Sequence, residues 1–407
     1  MASASSRRGS EEGTRLKILL CHNFYQQPGG EQRAVLAAKA LLEREGHQVL
    51  FFQQDSLDIE SYHTREKIAF FPRTIFSHRI YNALLQIAAR EEPHIAHVHN
   101  VFPLLSPSVY IALHDAAIPV VQTIHNYRFM CINGLFLRNS RFCERCKTGN
   151  FFSGFKFRCY RDSYLLSGLY ALTIGGHRRW GTFDKIDHFI ALTNFVAEKL
   201  LESGLTTADK ISVLGNFLPV PLAEYGRSAM RTPYVVYIGR LSPEKGILTL
   251  LDAIRPLPHV RLKVLGSGPL QDSVTAYIRS HRLYNVDLLG YVGGEERDRI
   301  LRGAWCCVVP SECYETFPLI VLESAAVGTP IVASRIGSLA TLVADGETGL
   351  LFTPGDSADL RSKLEYVIAN PEGAIRMGQH ARRWVETSYT SEAHYEALMQ
   401  IYQQVLR

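Results

Sequence analysis

The stretch LKILLCHNFYQQPGGEQRAVLAAKALLEREGHQV, residues 16–49, starts as a short apolar run and passes through a loop holding Gly29 and Gly30. It continues with Val35, Ala38, Leu41 and Leu42 on helical spacing. An apolar run of that length bounded by turn residues reads as a buried strand, and the three-to-four-residue spacing reads as one face of a helix. Gly46 stands where such a helix would stop. The unit is therefore strand, glycine loop, helix. It recurs downstream, where HQVLFFQ, HIAHVH, IPVVQTIH and DHFIALT read as strands between helical or irregular stretches. Alternating β and α elements predict a parallel sheet covered on both faces.

The rhythm breaks at NFLPVPLAEYGRSAMRTP, residues 216–233, and restarts with YVVYIG, RLKVLG, VDLLG, CCVVP, PIVAS and GLLF. A chain of 407 residues exceeds one ordinary core. The expectation is an α/β protein of two doubly wound, Rossmann-like domains facing across a cleft. Its parts are a disordered tail at 1–15, an N-terminal domain at 16–220, a C-terminal domain at 221–385 and a terminal helix at 386–407. Tyr395, Leu398, Ile401, Tyr402 and Val405 give that last helix an apolar face, and it is expected to cross back to the N-terminal domain. In such sheets ligands sit outside the carboxyl ends of the strands. The loops that follow the strands are where chemistry is sought.

Composition narrows the classes. With 46% hydrophobic and 20% charged residues the chain is a globular protein, and it shows neither an apolar leader nor a run long enough to span a bilayer. A cytoplasmic location is expected. Residues 1–228 hold 26 Lys and Arg against 20 Asp and Glu, and residues 128–179 alone hold ten against two. A local basic patch with aromatics suits an anionic surface, or is simply a solvated face.

Several strand ends carry candidate site residues. Gly29 and Gly30 precede a helix whose N-terminal N–H groups favour an anion, although a Gly-Gly turn alone is weak and the dinucleotide fingerprint is missing. Gly239 and Arg240, followed five residues later by Lys245, put a planar fork and a mobile point charge at a strand mouth, a pairing that suits a diphosphate. Gly266 and Gly268 mark another strand end. Glu315 precedes a helix that starts near Pro318, while Glu323 falls on its second turn. Carboxylates accept paired bonds from vicinal hydroxyls, and a helix start between them favours an anion.

Taken together, GRLSPEKG, LGSGPL, PSECYETFPLIVLESAAVGTPIVAS and GETGLLFTPGD resemble the C-terminal half of the family 4 retaining glycosyltransferases of GT-B fold. HVHNVFPLLSPS and PVVQTIHNYRFMC resemble their N-terminal half. The resemblance implies transfer of a sugar from a nucleotide diphosphate sugar, with retention of configuration, to a glycan or lipid-linked acceptor in cell-surface or exopolysaccharide biosynthesis. It implies that Arg240 and Lys245 hold the diphosphate, that Glu323 binds the ribose and that Glu315, with the backbone of Thr316 and Phe317, meets the donor sugar. It also implies that His125 contacts that sugar and that Gly29, Gly30 and Asn216 border the donor. No Asp-x-Asp motif occurs, so a catalytic metal is not expected.

Cys131, Cys143, Cys146 and Cys159 follow the spacing C-x11-C-x2-C-x12-C. C-x2-C places two thiolates on one turn, as tetrahedral zinc requires, so the expectation is a structural zinc site, with reduced buried thiols as the alternative. The surrounding Arg138, Arg141, Arg145, Lys147, Lys156, Arg158 and Arg161, with Phe151, Phe152, Phe155 and Phe157, predict peripheral association with the inner face of an anionic membrane. Two enzyme alternatives share the fold, a sugar-nucleotide epimerase and a glycan phosphorylase. From another class comes a zinc-ribbon nucleic-acid-binding protein, which the acidic, glycine-punctuated C-terminal half opposes; no nucleic-acid partner is expected.

Overall fold

The computed structural model describes residues 15–26, 29–59, 64–219 and 234–407. The expected tail, apart from Arg15, and the linker beyond Pro219, with the domain boundary placed in it, lie outside them. The strands are β1 (Lys17–Phe24), β2 (Gln48–Asp55), β3 (Ile95–Asn100), β4 (Val120–Ile124), β5 (Leu137–Arg138), β6 (Arg141–Phe142), β7 (His188–Ala191) and β8 (Ile211–Val213), then β9 (Tyr234–Ile238), β10 (Arg261–Leu265), β11 (Val286–Gly290), β12 (Cys306–Val309), β13 (Ile331–Ser334) and β14 (Gly349–Phe352).

Two six-stranded sheets form, ordered β2-β1-β3-β4-β7-β8 and β11-β10-β9-β12-β13-β14, with β5 and β6 as a separate antiparallel pair. In the first sheet β1 runs parallel to β2 and β3, β3 to β4 and β7 to β8. In the second, each strand runs parallel to its neighbours. Strands β3, β4, β12, β13 and β14 are buried along their whole length, as expected where helices cover both faces, whereas β2 at a sheet edge is only partly buried. The doubly wound α/β class read from the alternating pattern is the one observed.

Strand order locates the ligand sites. In the second sheet it runs third, second, first, fourth, fifth, sixth, so the order reverses between β9 and β12. In the first sheet it reverses between β1 and β3. Open α/β sheets bind ligands at such switch points, where the loops leave in opposite directions and open a crevice.

By contact the chain forms two compact units. One holds residues up to Gln122 with Lys185–His188 and Tyr402–Arg407; the other holds Thr123–Asp184 and Phe189–Ile401. In the first, Ile18, Leu19 and Leu20 of β1 and Val35, Leu41 and Leu42 of the helix Gly30–Arg44 are all fully or nearly fully buried. Tyr402 also lies in this unit, its hydroxyl 2.6 Å from His97 Nδ1. In the second unit, side chains of β9 alternate between two cores: Tyr234 and Val236 join Val309, Val321, Leu322 and Leu339, while Val235 and Tyr237 join Ile247, Leu251, Val308 and Phe352. Each fully buried Val, Leu, Ile or Phe contributes about 1.5–3 kcal/mol. This two-sided burial fixes where β9 and β12 end, and with them the loops beyond.

Candidate active site

The loop after β9 is built from backbone contacts that only glycine permits. Gly246 has φ +67°, and a Cβ there would stand 1.8 Å from the Pro310 carbonyl oxygen at the end of β12. Glu312 N–H donates to the Glu244 carbonyl at 2.8 Å, which ties the β9 and β12 loops together. At Gly266, φ +138°, a Cβ would stand 1.9 Å from the Gly239 carbonyl oxygen, and at Gly268 one would stand 2.4 Å from the Leu241 carbonyl oxygen. Leu241 N–H donates to the Ser267 carbonyl. Gly266 and Gly268, read from sequence as donor-binding, stand where any side chain would strike the backbone of Gly239 or Leu241. They let the β10 loop support the strand end that carries Gly239 and Arg240.

This scaffold brings Lys245 to Glu315. Lys245 Nζ stands 2.5 Å from Glu315 Oε1, and Ser311 Oγ donates to the same oxygen at 2.7 Å. Among the described residues no hydrogen bond reaches Glu315 Oε2. An ammonium has three donors and a carboxylate about four acceptor sites, so the pair keeps capacity for a ligand. Burial pulls the Lys245 pKa down, but the Glu315 carboxylate more than offsets this and holds it above its ordinary value. Burial pushes Glu315 up, and Lys245 and Ser311 outweigh it, leaving the carboxyl below its ordinary value. Both groups are charged near neutral pH. Arg240, at the mouth of β9, is exposed.

Glu315 and Thr316 are also held from the segment after β4. Thr316 Oγ1 donates to the His125 carbonyl at 2.8 Å, and Tyr127 Oη donates to the Glu315 carbonyl at 3.4 Å. Phe317 is buried against Gly215, the neighbour of Asn216, where a Cβ would meet its ring at 2.8 Å. Pro318 is the extended N-cap of the helix Leu319–Ala326. Glu323, on its second turn, is 5% exposed and takes a bond from Arg297 Nη1 at 3.2 Å. Arg297 donates in addition to Asp298 through Nε and Nη2. Ser311, Tyr127 and Arg297 carry no mark in the sequence that singles them out.

At the switch point of the first sheet, Gly29 caps the helix Gly30–Arg44 with φ −142°, and a Cβ there would meet nothing within 4 Å among the described residues. Neither strain nor crowding requires glycine at this position. Beside it lie polar residues that sequence reading passed over. His22 is fully buried, its ring nitrogens lack a hydrogen-bond partner among the described residues, and Nδ1 lies 4.0 Å from Glu31 Oε1. Burial lowers its pKa to about 4. Asn100 Nδ2 donates to the Asn23 carbonyl, and Asn23 Oδ1 accepts from Leu104 N–H at 2.8 Å. The available signal was the polar pair HN ending two apolar strands.

Cys131, Cys143, Cys146 and Cys159 line one cavity, with Asn133, Arg138 and Phe157. Burial raises the thiols of Cys131, Cys146 and Cys159. Among the described residues no group of three or more His, Cys, Asp or Glu side chains is set out as a metal cage.

Two family models match the chain: Glycosyltransferase Family 4 over residues 28–220 and Glycosyl transferases group 1 over residues 225–384. A glycogen synthase of Mycobacterium tuberculosis is 29% identical over 269 residues, covering 60% of this chain and 64% of that protein. A D-inositol 3-phosphate glycosyltransferase of Corynebacterium efficiens is 37% identical over 173 residues, covering 38% of this chain and 40% of that protein. The chain thus spans less than two thirds of the length of these relatives. Among solved structures, a sucrose-phosphate synthase of Thermosynechococcus elongatus superposes with a TM-score of 0.72 at 20% identity, over 96% of this chain and 99% of that one. Anabaena HepE in complex with UDP superposes with a TM-score of 0.68 at 18% identity, over 96% of this chain and all of that one. The fold is GT-B.

Proposed function

The chain belongs to the GT-B glycosyltransferases, its halves to Glycosyltransferase Family 4 and to Glycosyl transferases group 1, and from that premise we propose that it moves a sugar from a nucleoside diphosphate sugar to an acceptor hydroxyl with retention of configuration. The observation that carries this reading is the Lys245–Glu315–Ser311 cluster at the β9/β12 switch point. Cleavage of the glycosidic bond leaves positive charge on the sugar and new negative charge on the diphosphate. A fixed ammonium aimed at that oxyanion lowers the barrier, because the donor is already in place when the charge develops. Lys245 is given this role, with Arg240 as the second cation. Glu315 Oε2 accepts from the donor sugar's hydroxyls, Glu323 from the ribose, and the backbone of Thr316 and Phe317 borders the sugar with His125 and Asn216. The uncrowded Gly29 leaves room for a ligand at the helix start. Solved neighbours hold UDP or UDP-glucose, which supports a uridine diphosphate donor as the first to try. The acceptor is a glycan or lipid-linked hydroxyl in envelope or exopolysaccharide assembly.

A panel of nucleotide sugars tests this, each offered with lipid-linked and soluble glycan acceptors, with product configuration read by NMR. At least one donor should give a product of unchanged anomeric configuration. An inverted product overturns retention, and no turnover with any donor overturns the transfer reading.

The acceptor side also bears on location. Leu165, Leu172 and Arg179 recur every seventh residue along the helix Tyr164–Arg179, and Leu165, Leu172, Phe152 and Trp180 are each more than half exposed. Exposed Lys156, Arg158 and Arg161 lie in the same segment. Apolar side chains among basic ones suit the surface of an anionic bilayer, and no described helix is long and apolar enough to cross one. Vesicles rich in anionic lipid should sediment the protein, and Leu165→Glu with Leu172→Glu should release it. Equal sedimentation of the variant and the wild type excludes this face.

A further inference from the structure

The segment from Cys131 to Cys159 has little to hold it folded. Its regular structure amounts to the two-residue strands β5 and β6 and a five-residue helix, Phe152–Lys156. Short segments of this kind need a staple. Cysteines separated by up to 28 positions in the chain nevertheless come to one cavity. Cys131 Sγ lies 3.0 Å from Asn133 Oδ1, whose oxygen also takes the Leu135 N–H, so this short loop turns around the first cysteine. Gly149, at φ +97°, donates its N–H to the Cys146 carbonyl at 3.0 Å and closes the turn after C-x2-C.

We propose that Cys131, Cys143, Cys146 and Cys159 bind one structural zinc ion as a tetrathiolate. Binding exchanges four thiol protons, released to solvent, for four Zn–S bonds. The remaining charge of −2 is offset by Arg138, which lines the cavity and stands over the Phe157 ring at 4.1 Å. The ion would draw onto one point four side chains that now share a cavity.

The site also acts at a distance within the same unit. Phe142, next to Cys143, stacks on Tyr314 with centroids 5.0 Å apart, and Phe136 packs on both Tyr314 and Tyr127. Glu144 and Lys147, flanking Cys146, form a four-membered charge ring with Lys199 and Glu202. Zinc would therefore stiffen the strap that holds the loop carrying Glu315. The proposal does not depend on the transfer reaction.

Protein purified without chelator should carry about one zinc per chain by elemental analysis. Cobalt substituted for zinc should show the absorption of a tetrahedral tetrathiolate, and Cys143→Ser with Cys146→Ser should abolish both. Removing zinc from the wild type should expose four thiols to a thiol reagent and lower the melting temperature by roughly 5 °C or more. Should the double variant not fold, the wild-type stoichiometry and cobalt spectrum decide alone. Folded wild-type protein with no bound metal and freely reactive thiols, or with a disulfide among these four cysteines, overturns the proposal.

Discussion

Replacing Lys245 by alanine is expected to lower kcat about 10²–10³-fold, the usual cost of removing one preorganised donor from a developing oxyanion. KM for the donor should rise less, because a cation aimed at charge that appears in the transition state acts mainly there. The same change removes the partner of Glu315, so it carries a second signature in pH. The Glu315 carboxyl is held below its ordinary 4.5, and its contribution to stability is present above that value and lost as pH falls through its folded pKa. The Lys245 ammonium is held above its ordinary 10.5, and its contribution is present below that value and lost as pH rises through its folded pKa. The pair is thus intact from about 4.5 to 10.5. With Lys245 gone, burial of Glu315 is opposed by Ser311 alone, and the acid limb of both stability and activity should move to higher pH. A folded Lys245→Ala protein with wild-type kcat removes the lysine from the reaction, and an unmoved acid limb removes the coupling to Glu315.

The difference between what local sequence reveals and what folding adds is visible in these residues. Alternating apolar runs and helical spacing around Gly29 and Gly30 suffice for a doubly wound fold, because each element's period is a local property. The C-x2-C pair likewise announces itself by spacing. Gly266 and Gly268 show the limit. A glycine at a strand end looks the same whether it makes room for a phosphate or for another backbone, and here the close neighbours are Gly239 and Leu241. Strand order is equally silent, since β9 and β12 become neighbours only when the sheet forms. For the same reason Tyr127 and Arg297 escaped notice: their partners lie 188 and 26 positions away. Ser311 is only four residues from Glu315, yet on a loop no periodicity marks such a pair.

Arg297 carries the second large effect: Arg297→Ala is expected to destabilise the second unit by about 3–5 kcal/mol, because removing one member of a buried ion pair strands the other charge. The Glu323 side chain is 7% exposed and that of Arg297 15%, so water gives neither much relief. Arg297 also joins Glu323 to Asp298, and its loss opens both contacts. If stranded charge is the cause, Glu323→Gln introduced beside Arg297→Ala should recover most of the lost stability, since the amide keeps the shape without the charge. That recovery separates two roles of one carboxylate. Glu323→Gln alone should fold, yet on the proposed ribose-binding role it should weaken a charge-assisted bond worth about 1.5–3 kcal/mol and raise donor KM some 10-fold or more. The double variant should therefore be stable and still bind donor poorly. Stability restored together with wild-type donor KM would make Glu323 a packing residue only, whereas failure to restore stability would place the weight of Arg297 on Asp298.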